Sequence, residues 1–225
     1  MAIQILHRDA HLLAVVKPPN LSTTSPPGGD SLEFRLRNQL PTFAAYLHAC
    51  HRLDACVGGI VLMALTRRGA RLVADQFASR KVAKTYDAIV HGRVEATSPA
   101  TWRDFIRKRC NEARAEIVHG DVVGSKEAIT VVDVVASSDV EGTGPRTRLR
   151  LHPHTGRMHQ LRLQASSRGH PILGDTLYGD SHEKTAPTSI ALWASEIEFH
   201  DVVSGKRMHL VAPIDWDDSI VKPGT

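Results

Sequence analysis

The stretch HRLDACVGG, residues 51–59, sets Asp54 two residues after Arg52 and just ahead of two glycines and an apolar run. A nearby positive charge favours the ionised form of a carboxylate. Glycine lets a backbone or a ligand come close. Such a carboxylate can serve as nucleophile or base, or the ion pair can brace a turn. In KTYDAIVHG, residues 84–92, Tyr86, Ala88 and Val90 fall on one strand face, with Lys84 leading into it. A tyrosine there can stack on a flat base and exchange a proton, or be a core residue with a satisfied hydroxyl. In LHPHTGRMHQLRLQASSRGHPILGDTLYG, residues 151–179, Thr155-Gly156-Arg157 would open a helix whose free N–H groups attract an anion such as phosphate. Met158, Leu161 and Ala165 form that helix's buried stripe, and Arg162 lies near the same face. A buried charge needs a partner. The Asp54 carboxylate is one candidate; the alternative is a head group that snorkels to water.

These residues need elements to hold them. The N-terminal segment reads as two short strands around a polar turn at His7 to Asp9, followed by a loop over 22–31. Leu32, Leu36 and Leu40 predict a short helix capped by Ser31. GIVLMAL is a buried strand, and 67–80 is a helix with Ala70, Val73, Ala74 and Phe77 on one stripe. KTYDAIVHG alternates with period two, hence a strand. Further strands are expected near 127–136, 146–152, 189–199 and 206–212, and a helix over 157–168. Residues 95–125 read as loops, and 137–145 and 179–188 as short linkers. Strands outnumber helices without regular alternation, which predicts an α+β fold in a single domain over residues 1–225.

Lys and Arg total 28 against 24 acids, but their distribution is uneven. No acid lies between Glu141 and Asp175, an interval holding Arg146, Arg148, Arg150, Arg157, Arg162 and Arg168. A second basic knot is RDFIRKRCNEAR, residues 103–114. Clustered positive charge suits a polyanion, nucleic acid above all, or is a solvated basic face. No stretch approaches the ~20 apolar residues that span a bilayer, so no membrane partner is expected. The start shows no signal-peptide layout. Cys50, Cys56 and Cys110 have no framework spacing, which points to a reducing, cytoplasmic setting. A rival metal-dependent hydrolase would draw on His48, Cys50, His51 and Cys56, but no Cys-x-x-Cys or His-Glu-x-x-His pair exists. The expected metal content is none.

HRLD, KTYDAIVHG, TGRMHQLR and GHPILGDTLYG, in this order, closely resemble the signature of RluA-family RNA pseudouridine synthases, and LLAVVKPPNL resembles that family's opening strand and Lys-Pro turn. The resemblance runs from about residue 5 to residue 212. It implies a mixed, largely antiparallel sheet with flanking helices around an RNA-binding cleft. The implied reaction isomerises uridine within RNA: the base is detached at nitrogen, rotated and rejoined through carbon 5, with no cofactor. By the same resemblance Asp54 is the catalytic carboxylate, attacking the substrate or taking a ribose proton. Tyr86 stacks on the base and Arg162 pairs with Asp54. His51, Arg52, Lys84, Arg157, His159, Ile172 and Leu173 are the implied substrate- or RNA-binding residues, with Arg157 and His159 contacting the RNA backbone or bracing the helix start. The implied partner is ribosomal or transfer RNA with a flipped-out uridine, bound by a monomer, with no DNA partner. The motifs begin almost at Met1, leaving no room for the small RNA-binding domain many relatives carry. The chain departs from the family in three places. Val57-Gly58-Gly59 replaces Thr-Ser-Gly, Gln164 stands in a histidine's place, and Trp193 stands where a histidine is frequent. The first departure favours a second reading, a non-catalytic RNA-binding protein on the same fold.

Overall fold

The structure, a computed structural model, describes residues 2–43, 45–95, 99–140, 144–179 and 189–214. In chain order the elements are β1 (Gln4–Arg8), β2 (Leu12–Lys17), α1 (Leu32–Gln39), β3 (His48–Ala49), β4 (Gly58–Ala64), α2 (Arg67–Ala78) and β5 (Ala83–His91). There follow β6 (Ala100–Lys108), β7 (Ala115–Val118), β8 (Ser125–Val140), β9 (Gly144–Pro153), α3 (Gln160–Ser166), β10 (Leu192–His200) and β11 (Arg207–Val211). Two compact units emerge: Met1–Lys84 with Trp193–Ile214, and Thr85–Leu192.

In the first unit β2 is flanked by β1 and β4, both antiparallel to it. β10 joins β4 in parallel and β11 pairs antiparallel with β10, so this sheet is mixed but largely antiparallel. Asp9 shapes the β1–β2 turn by accepting the His11 and Leu12 N–H groups at 2.5 and 2.7 Å. Ser31 caps α1 and Thr66 caps α2 through their side chains, which satisfies first-turn N–H groups that have no helical partner. Val73 of α2 packs into a core of Leu12, Ala14, Ile60, Leu62, Ile197 and Phe199. Every residue of β4 is buried, as its continuous apolar run requires.

The second unit is antiparallel throughout its paired strands, in the order β5, β9, β8, β6, β7. Tyr86 and Ala88 stand opposite Leu151 and Leu149, and Val132 opposite Leu151, so these side chains share one face. Helix α3 packs on the far end of this sheet, where Leu163 meets Ile106, Ala115 and Ala128.

The elements differ from the sequence reading at three points. The basic knot in 95–125 is the β6–β7 hairpin and not loop. Trp102 and Ile106 alternate inward, while Arg103 pairs with Glu127 and Arg107 with Glu116. Charge on the outward positions hid a period-two strand. Residues 137–140 extend β8 and 144–145 begin β9, where Ser137 Oγ lies 3.0 Å from Thr147 Oγ1. The helix expected over 157–168 is confined to Gln160–Ser166, because His159 takes a left-handed backbone (φ 51°) ahead of it. The linker over 179–188 lies outside the described residues, apart from Gly179.

The acid-free interval also reads differently in three dimensions. Arg148 donates to the fully buried Asp87 at 3.2 and 3.0 Å, and Arg168 to Asp104 at 3.0 Å. His152 stands 3.2 Å from Asp133. Arg146 is itself buried. The counter-ions come from strands distant in sequence, so this segment is not an open positive track. Without Arg148 the buried Asp87 loses its closer arginine and keeps the more distant Arg150, 3.9 Å away, and removing a close partner from a buried charge is costly. Arg148→Met should therefore lower unfolding free energy by on the order of 3 kcal/mol in urea titration; a loss within ~0.5 kcal/mol would mean that Asp87 keeps its compensation without Arg148.

Candidate active site

Asp54 rides on a loop tied down at each step. His51 Nε2 accepts the Leu62 N–H of β4 at 3.1 Å, and its ring lies 5.3 Å from that of Phe77. Burial, and then the charge of Lys84, push the His51 imidazole down to about 3, so it is neutral near pH 7, as an acceptor must be. The buried Thr23 hydroxyl donates to Leu53 O at 3.1 Å and accepts the Leu53 N–H at 3.2 Å. The Val57 N–H donates to Asp54 O at 3.0 Å, closing a turn around the aspartate. The Lys17 ammonium, at the end of β2, donates to Pro18 O, Leu21 O and Ala55 O at 3.0, 2.7 and 3.1 Å. Lys17 is fully buried. Burial lowers it to about 8, against the opposing pull of Cys56 and Asp54. At neutral pH it is still a cation. Asp54 itself is half-buried and Arg52 exposed.

The second unit holds the other expected residues. Tyr86 is buried on the apolar face of β5. Arg162 is buried as well, and Asp175 grips it: Nε and Nη2 donate to the two carboxylate oxygens at 2.8 and 2.7 Å. Burial opposes ionisation of Asp175, but Arg162 and the N–H groups of Leu177 and Tyr178 outweigh it and hold the carboxyl below its ordinary value. Thr155-Gly156-Arg157 does not open a helix. The Thr155 hydroxyl and the Arg157 N–H both donate to the Gln160 side-chain oxygen, at 2.7 and 3.0 Å, and Arg157 Nε donates to Glu127 O at 2.9 Å. This corner is filled by its own side chains, so the expected anion site at a helix start is withdrawn. Arg157 and His159 brace the approach to α3, the latter through a 2.7 Å contact with the Tyr178 hydroxyl. Ile172 and Leu173 are buried and run beside β5, with the Leu173 N–H donating to Ile89 O at 2.8 Å. They support β5 and present no side chain to solvent. Lys84, half-buried, has its amine lowered by burial. Asp175 and Tyr178 escaped the sequence reading. The signal was the GDTLYG run, whose acid follows the basic interval directly.

Residues 11–167 match the RNA pseudouridylate synthase family. The chain belongs to that family. The dual-specificity RNA pseudouridine synthase RluA of Vibrio vulnificus is 33% identical over 217 residues, covering 95% of this chain and 84% of that protein. The tRNA pseudouridine synthase C of Pasteurella multocida is 32% identical over 237 residues, covering 98% and 96%. Among solved structures, human RNA pseudouridylate synthase domain containing 1 superposes with a TM-score of 0.80 at 26% identity, covering 97% of this chain and 86% of that one. The synthase is thus an isomerase of uridine in RNA, on an α+β pseudouridine synthase fold. Among the described residues, His7, Asp9 and Asp201 are the one group of His, Cys, Asp or Glu side chains close enough to share a metal ion. The set His48, Cys50, His51 and Cys56 does not converge, which removes the geometric basis of the hydrolase reading.

Two of the synthase's departures turn out to be one. Gly58 pairs with Trp193 across β4 and β10. A Cβ on Gly58 would sit 2.6 Å from Trp193 Cε3, and closer still to Cζ3. The indole occupies the place of a side chain at position 58. Gly59 next to it has φ +118°, and a Cβ there would meet the Ala194 nitrogen at 2.5 Å. Gln164, the third departure, is fully buried and uses both ends of its amide: Oε1 accepts from Thr130 Oγ1 and Nε2 donates to Asp104 Oδ2, each at 2.7 Å.

Two outcomes follow from this packing and burial. Gly58→Ser and Trp193→His should each destabilise, while the double variant recovers a coupling on the order of 1–3 kcal/mol; additive losses in urea titration would separate the two positions. For Lys17, the unfolded chain keeps its proton up to about 10.5 and the folded chain only to about 8. Unfolding therefore takes up a proton between these values, and stability attributable to Lys17 rises with pH across that window. Below pH 8 the full cost of burying the charge is present; above 10.5 it is gone. Wild type minus Lys17→Met should trace this rise in melting curves, and a flat difference would show an unperturbed amine.

Proposed function

We propose that this synthase forms pseudouridine with Asp54 as the reacting carboxylate, Tyr86 stacked on the target uracil and Arg162 as the cationic partner of Asp54. The observation that carries the proposal is the Asp54 loop itself: a half-buried carboxylate held by ties from His51, Leu53, Ala55 and Val57, beside a buried ammonium. A brace needs no such support, whereas a group that must meet one ribose atom does. Attack on the sugar and removal of a ribose proton both use the carboxylate oxygens of Asp54. Arg52, exposed beside it, contacts the RNA. A uridine within a stem is out of reach, so the enzyme takes a flipped-out base. The family match runs through both compact units, which supports one catalytic domain over residues 1–225.

The substrate is a transfer or ribosomal RNA, and the names of the relatives support this: one is a dual-specificity RNA pseudouridine synthase and another a tRNA pseudouridine synthase. The enzyme acts as a cytoplasmic monomer without a cofactor. Among the described residues no helix is long and apolar enough to cross a membrane. The family match and the names of the relatives favour a synthase over a non-catalytic protein on the same fold.

The test is Asp54→Asn, which keeps the side chain's size and removes its acid–base and nucleophilic capacity. Tritium release from carbon 5 of uridine, in transfer and ribosomal RNA transcripts separately, should fall to background while melting temperature and RNA affinity stay near wild type. Substantial release by the variant would take Asp54 out of the mechanism.

A further inference from the structure

Arg162 is held from two directions by one short turn. Asp175 grips the edge of the guanidinium through Nε and Nη2, and both side chains are buried, 6% and 1% exposed. The Tyr178 ring covers its face, with the guanidinium carbon 5.2 Å from the ring centroid. The turn is rigid in its own right. Asp175 Oδ1 accepts the Leu177 and Tyr178 N–H groups at 2.9 and 3.1 Å, and Ser166 Oγ of α3 donates to Tyr178 O at 2.6 Å. The Tyr178 hydroxyl accepts the Ala115 N–H of β7 at 3.0 Å and lies 2.7 Å from His159 Nδ1. A planar fork fixed on one edge and one face has no torsion left to relax. The pairing uses Nε and Nη2, so the Nη1 edge points outside the Asp175 fork. A buried ion pair adds little stability over an apolar pair of the same shape; what it adds is direction.

We propose that Asp175 and Tyr178 are positioning residues that fix the Arg162 guanidinium in one orientation for the isomerisation and influence the reaction only through it. The proposal rests on the reading of Arg162 as a member of the site. The experiment compares Asp175→Asn, Tyr178→Leu and Arg162→Ala with the combined D175N/R162A and Y178L/R162A, measuring kcat and KM by tritium release from a transfer RNA transcript, alongside melting curves. Asp175→Asn should lower kcat on the order of 10- to 100-fold, as misplacement of a reacting group does, with KM for the RNA unchanged. D175N/R162A should be no slower than Arg162→Ala alone, because residues acting through one group are not additive. Where Asp175→Asn melts below the assay temperature, Tyr178→Leu and Y178L/R162A carry the same comparison. Wild-type kcat in folded Asp175→Asn and Tyr178→Leu, or a further loss in the combined variants, overturns the positioning role. Arg162→Ala turning over at the wild-type rate would instead remove Arg162 from the site, a failure of the earlier reading that is visible without any variant of Asp175.

Discussion

A single buried ammonium holds the loop that carries Asp54. Moving a charge out of water costs several kcal/mol even after the protein relaxes. Lys17 offsets that cost with three backbone carbonyls, two from the segment after β2 and one from the loop around Asp54. The arrangement works only while all three acceptors stay in place, so neither segment can drift. Thr23 adds a second stitch between the same two segments, through both backbone groups of Leu53. The loop beneath the carboxylate is therefore held through its backbone groups on both sides of Asp54.

The second unit applies the same logic with arginine. Asp87, Asp104 and Asp175 are acids contributed by β5, β6 and the turn after α3, and each meets an arginine of the segment that looked free of acids in sequence. Arginine's rigid fork suits this use, since two parallel hydrogen bonds set orientation as well as distance. The cost falls on electrostatic reach: guanidinium groups spent on internal carboxylates are screened from a polyanion outside.

How much of this the sequence disclosed depended on how local the cause was. Helix α1 announced itself through Ser31 and its leucine spacing, and α2 through its apolar stripe, all local signals. β4 did so through an unbroken apolar run, and Asp54, Tyr86 and Arg162 stood out as candidates through their motifs. The β6–β7 hairpin was hidden because Arg103 and Arg107 are neutralised across strands, by Glu127 and Glu116, which lie near them only after folding. The start of α3 was misplaced because the Gln160 side chain, reaching back to Thr155 and Arg157, competes for the backbone that would have made another helical turn. Asp175, which grips Arg162, was visible as a residue type in GDTLYG, but nothing in its spacing marked it as a partner of that arginine. Legibility failed wherever a side chain's partner was set by register between distant strands.

The packing of Trp193 over Gly58 also imposes a direction on sequence change. A chain with a small ring at position 193 and a hydroxyl at 58 can lose the hydroxyl first, because glycine leaves space and no clash. It cannot gain the indole first, because the ring would overlap a Cβ that is already there. The reverse journey must begin at the indole for the same reason. Two neighbouring positions on parallel strands thus behave like a ratchet, open to travel in one order each way, and homologous enzymes would be expected to hold glycine with either ring but the tryptophan only with glycine.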